Sequence, residues 1–177
     1  MRVVIAGGPG KIALLLERLL AERGDQAVGL IRNPAHAAEV RAADAEAVAC
    51  DLEAATAEDV TALVAGADAV VFAAGADPGS GAARKDAVDR AAAVLMADAA
   101  ERARDPDWTI VRPGGLTDDP AAGRIRLAPP PVPPGTIPRA DVAAVIAALL
   151  DHAGTWHQTL ELTGGQTPLD EAISTIS

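Results

Sequence analysis

Arg2-Val3-Val4-Ile5-Ala6-Gly7-Gly8-Pro9-Gly10-Lys11-Ile12-Ala13 is the stretch whose reading decides the fold. It opens as a short apolar strand, and an unbroken helical pattern from Leu14 to Glu22 follows the glycines. The spacing is Gly7-x-x-Gly10-x-x-Ala13. Glycine at the strand end permits a tight turn, and a second glycine lets backbone amides approach a pyrophosphate. A small third residue lets the helix pack closely on the strand. The helix N-terminus then offers unsatisfied N–H groups and a positive dipole end to an anion. The turn nominates Gly7, Pro9, Gly10, Lys11 and Ile12 as residues that cradle a dinucleotide. Lys11 opposes the helix dipole, a small penalty that a bound anion offsets; without one it is simply exposed.

Outward from this turn, short apolar runs alternate with helical patterns. Strands are expected at 2–6, 27–31, 46–50, 68–74, 108–112 and 158–163. Helices are expected at 11–23, 35–43, 57–65, 84–103 and 139–152, with a short one near 168–173. Ala69–Ala74 and Trp108–Val111 read as buried parallel strands because their apolar runs are continuous. The alternation predicts an α/β fold, a doubly wound parallel sheet in three α/β/α layers, with one domain over residues 1–177. Gly24 and Gly66 fall where left-handed helix caps are expected, and Pro34 starts a helix. Ala128–Pro138 is too rich in proline for regular structure. It reads either as a loop covering one edge of the site or as a stiff spacer.

Composition sets outer limits. The 177 residues, half of them apolar, suit a globular core. A net charge of −10 without any Lys/Arg cluster argues against a nucleic-acid partner, and its plain meaning is solubility. No apolar run approaches membrane-spanning length, so no membrane partner is expected. Met1-Arg2 leads into a strand rather than a signal-peptide core. With the single cysteine, Cys50, this points to a reducing cytoplasm.

In NAD-binding versions of this architecture a carboxylate stands about 20 residues past the glycines and holds the ribose hydroxyls. Here that stretch reads Gly29-Leu30-Ile31-Arg32-Asn33-Pro34, with Arg32 where the acid belongs. A guanidinium binds a 2′-phosphate through charge-assisted hydrogen bonds, where a carboxylate repels it. NADP(H) is therefore favoured over NAD(H), although Arg32 also fits a solvated loop position. Asp51-Leu52 follows the third strand and can reach an adenine edge; Asp51 could equally cap the next helix. Ala73, Ala74 and Gly75 leave room for ribose after the fourth strand, and the glycine-rich loop Gly75–Gly81 is suited to border a ligand.

Taken in order, Gly7-x-x-Gly10-x-x-Ala13, Leu30–Pro34, Val71–Gly75, Asp107–Gly114 and Ile137–Ala143 resemble one family. It is the atypical short-chain dehydrogenase/reductase family, in its single-domain NAD(P)H-binding branch related to NmrA-like and flavin-reductase-like proteins. The resemblance covers nearly the whole chain. It implies a Rossmann fold, an NADP-type cofactor on the glycine loop and Arg32, and a nicotinamide end near Arg112, Pro113 and Gly114. It also implies a further strand ending in serines, then a loop and a helix bearing Tyr-x-x-x-Lys. Here the helix through Asp98–Arg102 meets Arg104–Trp108 directly, with a join near Ala103. The sequence contains no tyrosine, and the lysine beyond Lys11, Lys85, lies in a different helix, so no catalytic residue carries over. Losing a central strand should leave unpaired edges and apolar surface. Either the molecule lacks the segment, or the sequence as read passes over it; the energetic cost favours the latter. An intact mass near 17.9 kDa would decide for the former.

Other constellations carry less. His36, His152 and His157 are too scattered for a metal site, and the last two are expected to be exposed. Cys50 reads as a buried, inert thiol. Ser80 has no nucleophile elbow, and Asp118-Asp119 reads as a turn. Trp108 and Trp156 are assigned to the core or to a subunit contact, which would make a homodimer. Two functions compete. One is an NADPH-dependent oxidoreductase acting on a small carbonyl, quinone or flavin-like molecule. The other is a non-catalytic NADP-binding sensor or regulator.

Overall fold

Val3, Val4, Ile5 and Ala6 are wholly buried, and the strand they form, β1 (Arg2–Ala6), is flanked by a parallel partner on each side. The computed structural model describes residues 1–74, 82–103 and 107–176. The chain divides into two compact units, Met1–Pro106 and Asp107–Ser177.

In the first unit β1 is followed by α1 (Lys11–Glu22), β2 (Gln26–Ile31), a 3-10 turn (Pro34–His36) and α2 (Ala37–Arg41). Then come β3 (Glu46–Ala49), α3 (Ala57–Val64), β4 (Ala69–Phe72) and α4 (Ala82–Ala103). The sheet order is β3-β2-β1-β4, all parallel. Val4, Ala6, Val28 and Leu30 join Val60 and Val64 of α3 and Met96 and Ala99 of α4 in one core cluster. Strand side chains alternate between faces, so Gly29 points to the other side, toward Glu17 of α1 and Val40 of α2. Helices thus cover both faces, as the sequence pattern requires.

The expected helix ends are present. Gly24 (φ 81°) and Gly66 (φ 72°) adopt the left-handed conformation. Asn33 caps the Pro34 turn through the Ala35 amide at 3.0 Å. A capping box starts α3: Thr56 Oγ1 accepts from the Asp59 amide (3.2 Å), and the Asp59 carboxylate accepts from the Thr56 amide (3.0 Å).

The second unit holds β5 (Thr109–Pro113), β6 (Gly115–Thr117), β7 (Arg124–Ala128), β8 (Thr136–Pro138) and α5 (Arg139–Leu149). A 3-10 turn (Ala153–Thr155), β9 (Gln158–Gly164), β10 (Thr167–Pro168) and α6 (Leu169–Ser174) complete it. Its sheet order is β10-β7-β9-β5, with β5 and β9 parallel and the other pairs antiparallel. Ile125, Leu127, Leu160 and Leu162 are buried along β7 and β9, as are Val142 and Val145 of α5.

Four expectations need correction. The proline-rich stretch is not wholly irregular, because Thr136–Pro138 pairs in parallel with Gly115–Thr117. A proline's fixed extended φ suits a short strand that leaves its nitrogen unpaired. β4 and β5 are not buried strands. β4 is half-buried throughout and Ile110 of β5 is 46% exposed, because each ends its sheet among the described residues. Trp108 and Trp156 are exposed rather than packed in a core. Cys50 is half-buried rather than buried.

Candidate nucleotide-binding site

The glycine turn has the geometry its spacing implies. Gly7 sits at φ 85°, and a side-chain carbon there would lie 2.6 Å from the Ala74 Cα. Only glycine satisfies both limits. The Gly8 amide donates to the Leu30 carbonyl (3.0 Å) and the Gly10 amide to the Gly7 carbonyl (2.8 Å), which closes the turn. Gly10 is the N-cap of α1. Among the described residues no side chain caps this end, and its first turn contains no acid. Ala13 is fully buried beneath it. A backbone turn opening onto an acid-free helix N-terminus suits an anion. Lys11 stands exposed at its rim.

Arg32 and Glu53 meet beside this turn's neighbouring strands. The register sets Ile31 opposite Ala49, and the Cys50 amide donates to the Ile31 carbonyl at 2.9 Å. The segments leaving β2 and β3 therefore start side by side. Arg32 Nη1 donates to Glu53 Oε1 at 2.8 Å. Asp51 shapes the second segment: its carboxylate accepts from the Glu53 amide (3.1 Å), and its carbonyl accepts from the amides of Ala54 and Ala55. Asp51 thus stabilises a turn and does not cap α3, whose cap is Thr56. Leu52 packs against the core cluster. Ala73 and Ala74 are half-buried, the Ala73 amide bonded to the Ala6 carbonyl at 3.0 Å. Gly75 and the loop to Gly81 lie outside the described residues, as does Ser80; so does the Lys85 side chain.

Glu17 was not among the residues nominated from sequence. Its side chain is fully buried, and neither carboxyl oxygen has a hydrogen-bond partner among the described residues. Oε1 lies where side-chain carbons on Gly29 and Gly8 would sit 2.5 and 3.2 Å away. Glu17 thus wedges between the nucleotide turn and β2. Burial pushes its pKa up to about 8, against a smaller opposing pull from Arg18, so the carboxyl is protonated at neutral pH. The signal was available: Ala13, Glu17 and Leu20 share the buried stripe of α1 by helical spacing.

In the second unit, Pro113 ends β5 and the Gly114 amide donates to the Leu162 carbonyl at 2.8 Å. A side chain on Gly114 would collide with the Gly135 carbonyl oxygen. The nicotinamide role expected of Pro113 and Gly114 rests on the resemblance alone. Asp141, buried at the start of α5, accepts from the amides of Ala122 and Gly123, each at 2.9 Å. Asp118 pairs with Arg139 at 2.7 Å. The proline loop is tied down where the Val132 amide donates to Glu161 (2.6 Å). His157 is exposed and bonded to Asp107 at 2.9 Å, while Nδ1 of His152 is buried.

The Cys50 thiol pKa is raised, first by burial and then by Asp51 and Asp59, which disfavours the thiolate. No cluster of three His, Cys, Asp or Glu among the described residues could hold a metal. No helix among them is long and apolar enough to cross a membrane.

Comparison with known proteins shows the family. A profile described as NAD(P)H-binding matches residues 7–104 and 90–153. The chain belongs to this NAD(P)H-binding family. It is 29% identical to the uncharacterized sugar epimerase YhfK of Bacillus subtilis, over 98% of this chain and 99% of that one. A candidate NAD-dependent epimerase/dehydratase of Bacillus halodurans shares 28% identity at a TM-score of 0.78, covering 98% and 99% of the two chains. The oxidoreductase ylbE of Lactococcus lactis shares the fold at 20% identity and a TM-score of 0.81, covering 99% and 96%. These relatives agree with the resemblance to atypical short-chain dehydrogenases/reductases. The alignment with YhfK runs over 213 positions against 177 residues, so at least 36 positions have no counterpart in this NAD(P)H-binding chain.

Proposed function

We propose that this protein is an NADP(H)-dependent oxidoreductase acting on a small carbonyl, quinone or flavin-like acceptor. The observation that supports this most directly is the acid-free, Gly10-capped N-terminus of α1 with Arg32 at the end of β2. The residues present fit such a cofactor. Gly7, Pro9, Gly10, Lys11 and Ile12 would hold the pyrophosphate, Arg32 the 2′-phosphate, Asp51 and Leu52 the adenine edge, and Ala73 and Ala74 the ribose. The bound cofactor supplies the hydride. The chain's own contribution is to bind and orient, since it has no tyrosine to hold a proton for the acceptor.

That missing tyrosine is also what favours the second reading, a non-catalytic NADP-binding regulator. Consumption of NADPH with a panel of quinones, flavins and aldehydes separates the two, and no turnover favours the regulator. For the phosphate, Arg32→Ala should weaken NADPH binding about tenfold, the low end for a charge-assisted contact because the side chain is 64% exposed. NADH binding should change little. Equal losses for both nucleotides would remove Arg32 from the site.

A further inference from the structure

The residue beyond this site that the structure assigns a role is Glu53. We propose that Glu53 sets the nucleotide preference by competing with the 2′-phosphate for the Arg32 guanidinium, an inference that rests on the Arg32 reading above. The sequence shows no acid at the end of β2, yet the fold brings one there from the segment after β3. Glu53 Oε1 accepts from Arg32 Nη1 at 2.8 Å. Its backbone is held by Asp51, whose carboxylate accepts from the Glu53 amide, so the side chain starts from a fixed point beside Arg32. Both side chains remain open to solvent, at 64% for Arg32 and 36% for Glu53. A phosphate can therefore reach the guanidinium, and Glu53 can swing away.

The two anions are not equal. An exposed carboxylate–guanidinium pair is weakly held, whereas a phosphate carries more charge and more acceptor oxygens for the planar fork. The phosphate wins the contact, but it must break the existing pair and then tolerate a carboxylate nearby. NADH makes no such demand, because its ribose hydroxyls are neutral and leave the pair intact. Glu53 therefore lowers the preference for NADPH below what Arg32 alone would give.

Fluorescence titration of the full chain with NADPH and with NADH tests this, using wild type, Glu53→Gln, Arg32→Ala and the double variant. Glu53→Gln should tighten NADPH by about three- to tenfold, breaking an exposed pair and removing a like charge. NADH should stay within about twofold. Most of the gain should be lost in the Arg32→Ala background, leaving only the direct repulsion between Glu53 and the phosphate. Glu53→Ala should repeat the result without the amide. Unchanged NADPH affinity, a fall in NADH affinity, or a gain undiminished without Arg32 would each overturn the inference. The Arg32 reading stands or falls separately, on whether Arg32→Ala alone discriminates between the nucleotides.

Discussion

Glu17→Gln should abolish a pH dependence of stability that the wild-type chain carries in its first unit. The carboxyl is fully buried without a partner among the described residues, and its pKa is raised from 4.5 to about 8. Between those values the folded chain keeps a proton that the unfolded chain has released. Stability therefore falls as pH rises: the Glu17 contribution is complete below about pH 4.5 and gone above about pH 8. Each tenfold difference in proton affinity is worth about 1.4 kcal/mol. The full loss is then on the order of 5 kcal/mol, about half of it between pH 6 and pH 9. Glutamine has the same shape and cannot ionise. The two proteins should be similar near pH 5, and the variant should be more stable by several kcal/mol at pH 8–9. Glu17→Leu, which also removes the unpartnered polar atoms, should be more stable at every pH. Urea unfolding followed by circular dichroism across this range measures the difference, and hydrogen exchange over residues 2–31 places it. Parallel curves for wild type and Glu17→Gln from pH 5 to pH 9 would refute the reasoning.

The same wedge predicts a coupling. Gly29→Ala would set a methyl 2.5 Å from Glu17 Oε1 and 2.9 Å from Val40 Cγ1, costing about 1–3 kcal/mol by overpacking. Most of that should return in a Glu17→Ala background, and a double-mutant cycle giving simple additivity would deny the contact. In the second unit, Asp141→Asn removes one of two backbone acceptors for Ala122 and Gly123. It should cost about 1–3 kcal/mol, with faster amide exchange confined first to residues 118–124; unchanged exchange there would show that Asp141 does not hold the turn.

What could be read from the sequence was what lies close along the chain. The β1 turn and the start of α1 follow from contiguous residues, each acting within a few positions of its neighbours. Gly24, Gly66 and Pro34 mark boundaries by backbone preference alone. β6 and β8 could not be read, because each has three residues and exists only through the other, about twenty positions away. Glu53 escaped for a similar reason. Its partner is 21 residues distant, and nothing local distinguishes it from any solvated acid. For Trp108 and Trp156 the core reading failed because bulk alone suggested burial, whereas both stand exposed in the single chain. Glu17 differs, since helical spacing already set it on the apolar stripe.

Two of the terminal strands, β4 and β5, bear on how copies of the chain meet in solution. β4 and β5 each offer one side of a parallel strand with no ladder partner among the described residues. Such an edge is a template for another backbone, and solvent alone does little to discourage pairing. The fold supplies neither a proline nor a lysine within β4 to blunt it. A net charge of −10 gives copies of the chain a mutual repulsion that opposes such pairing. That repulsion reaches only about 10 Å at 0.1 M salt and about 3 Å at 1 M. Concentrated salt is therefore expected to weaken that repulsion, and light scattering of the chain across ionic strength measures the consequence.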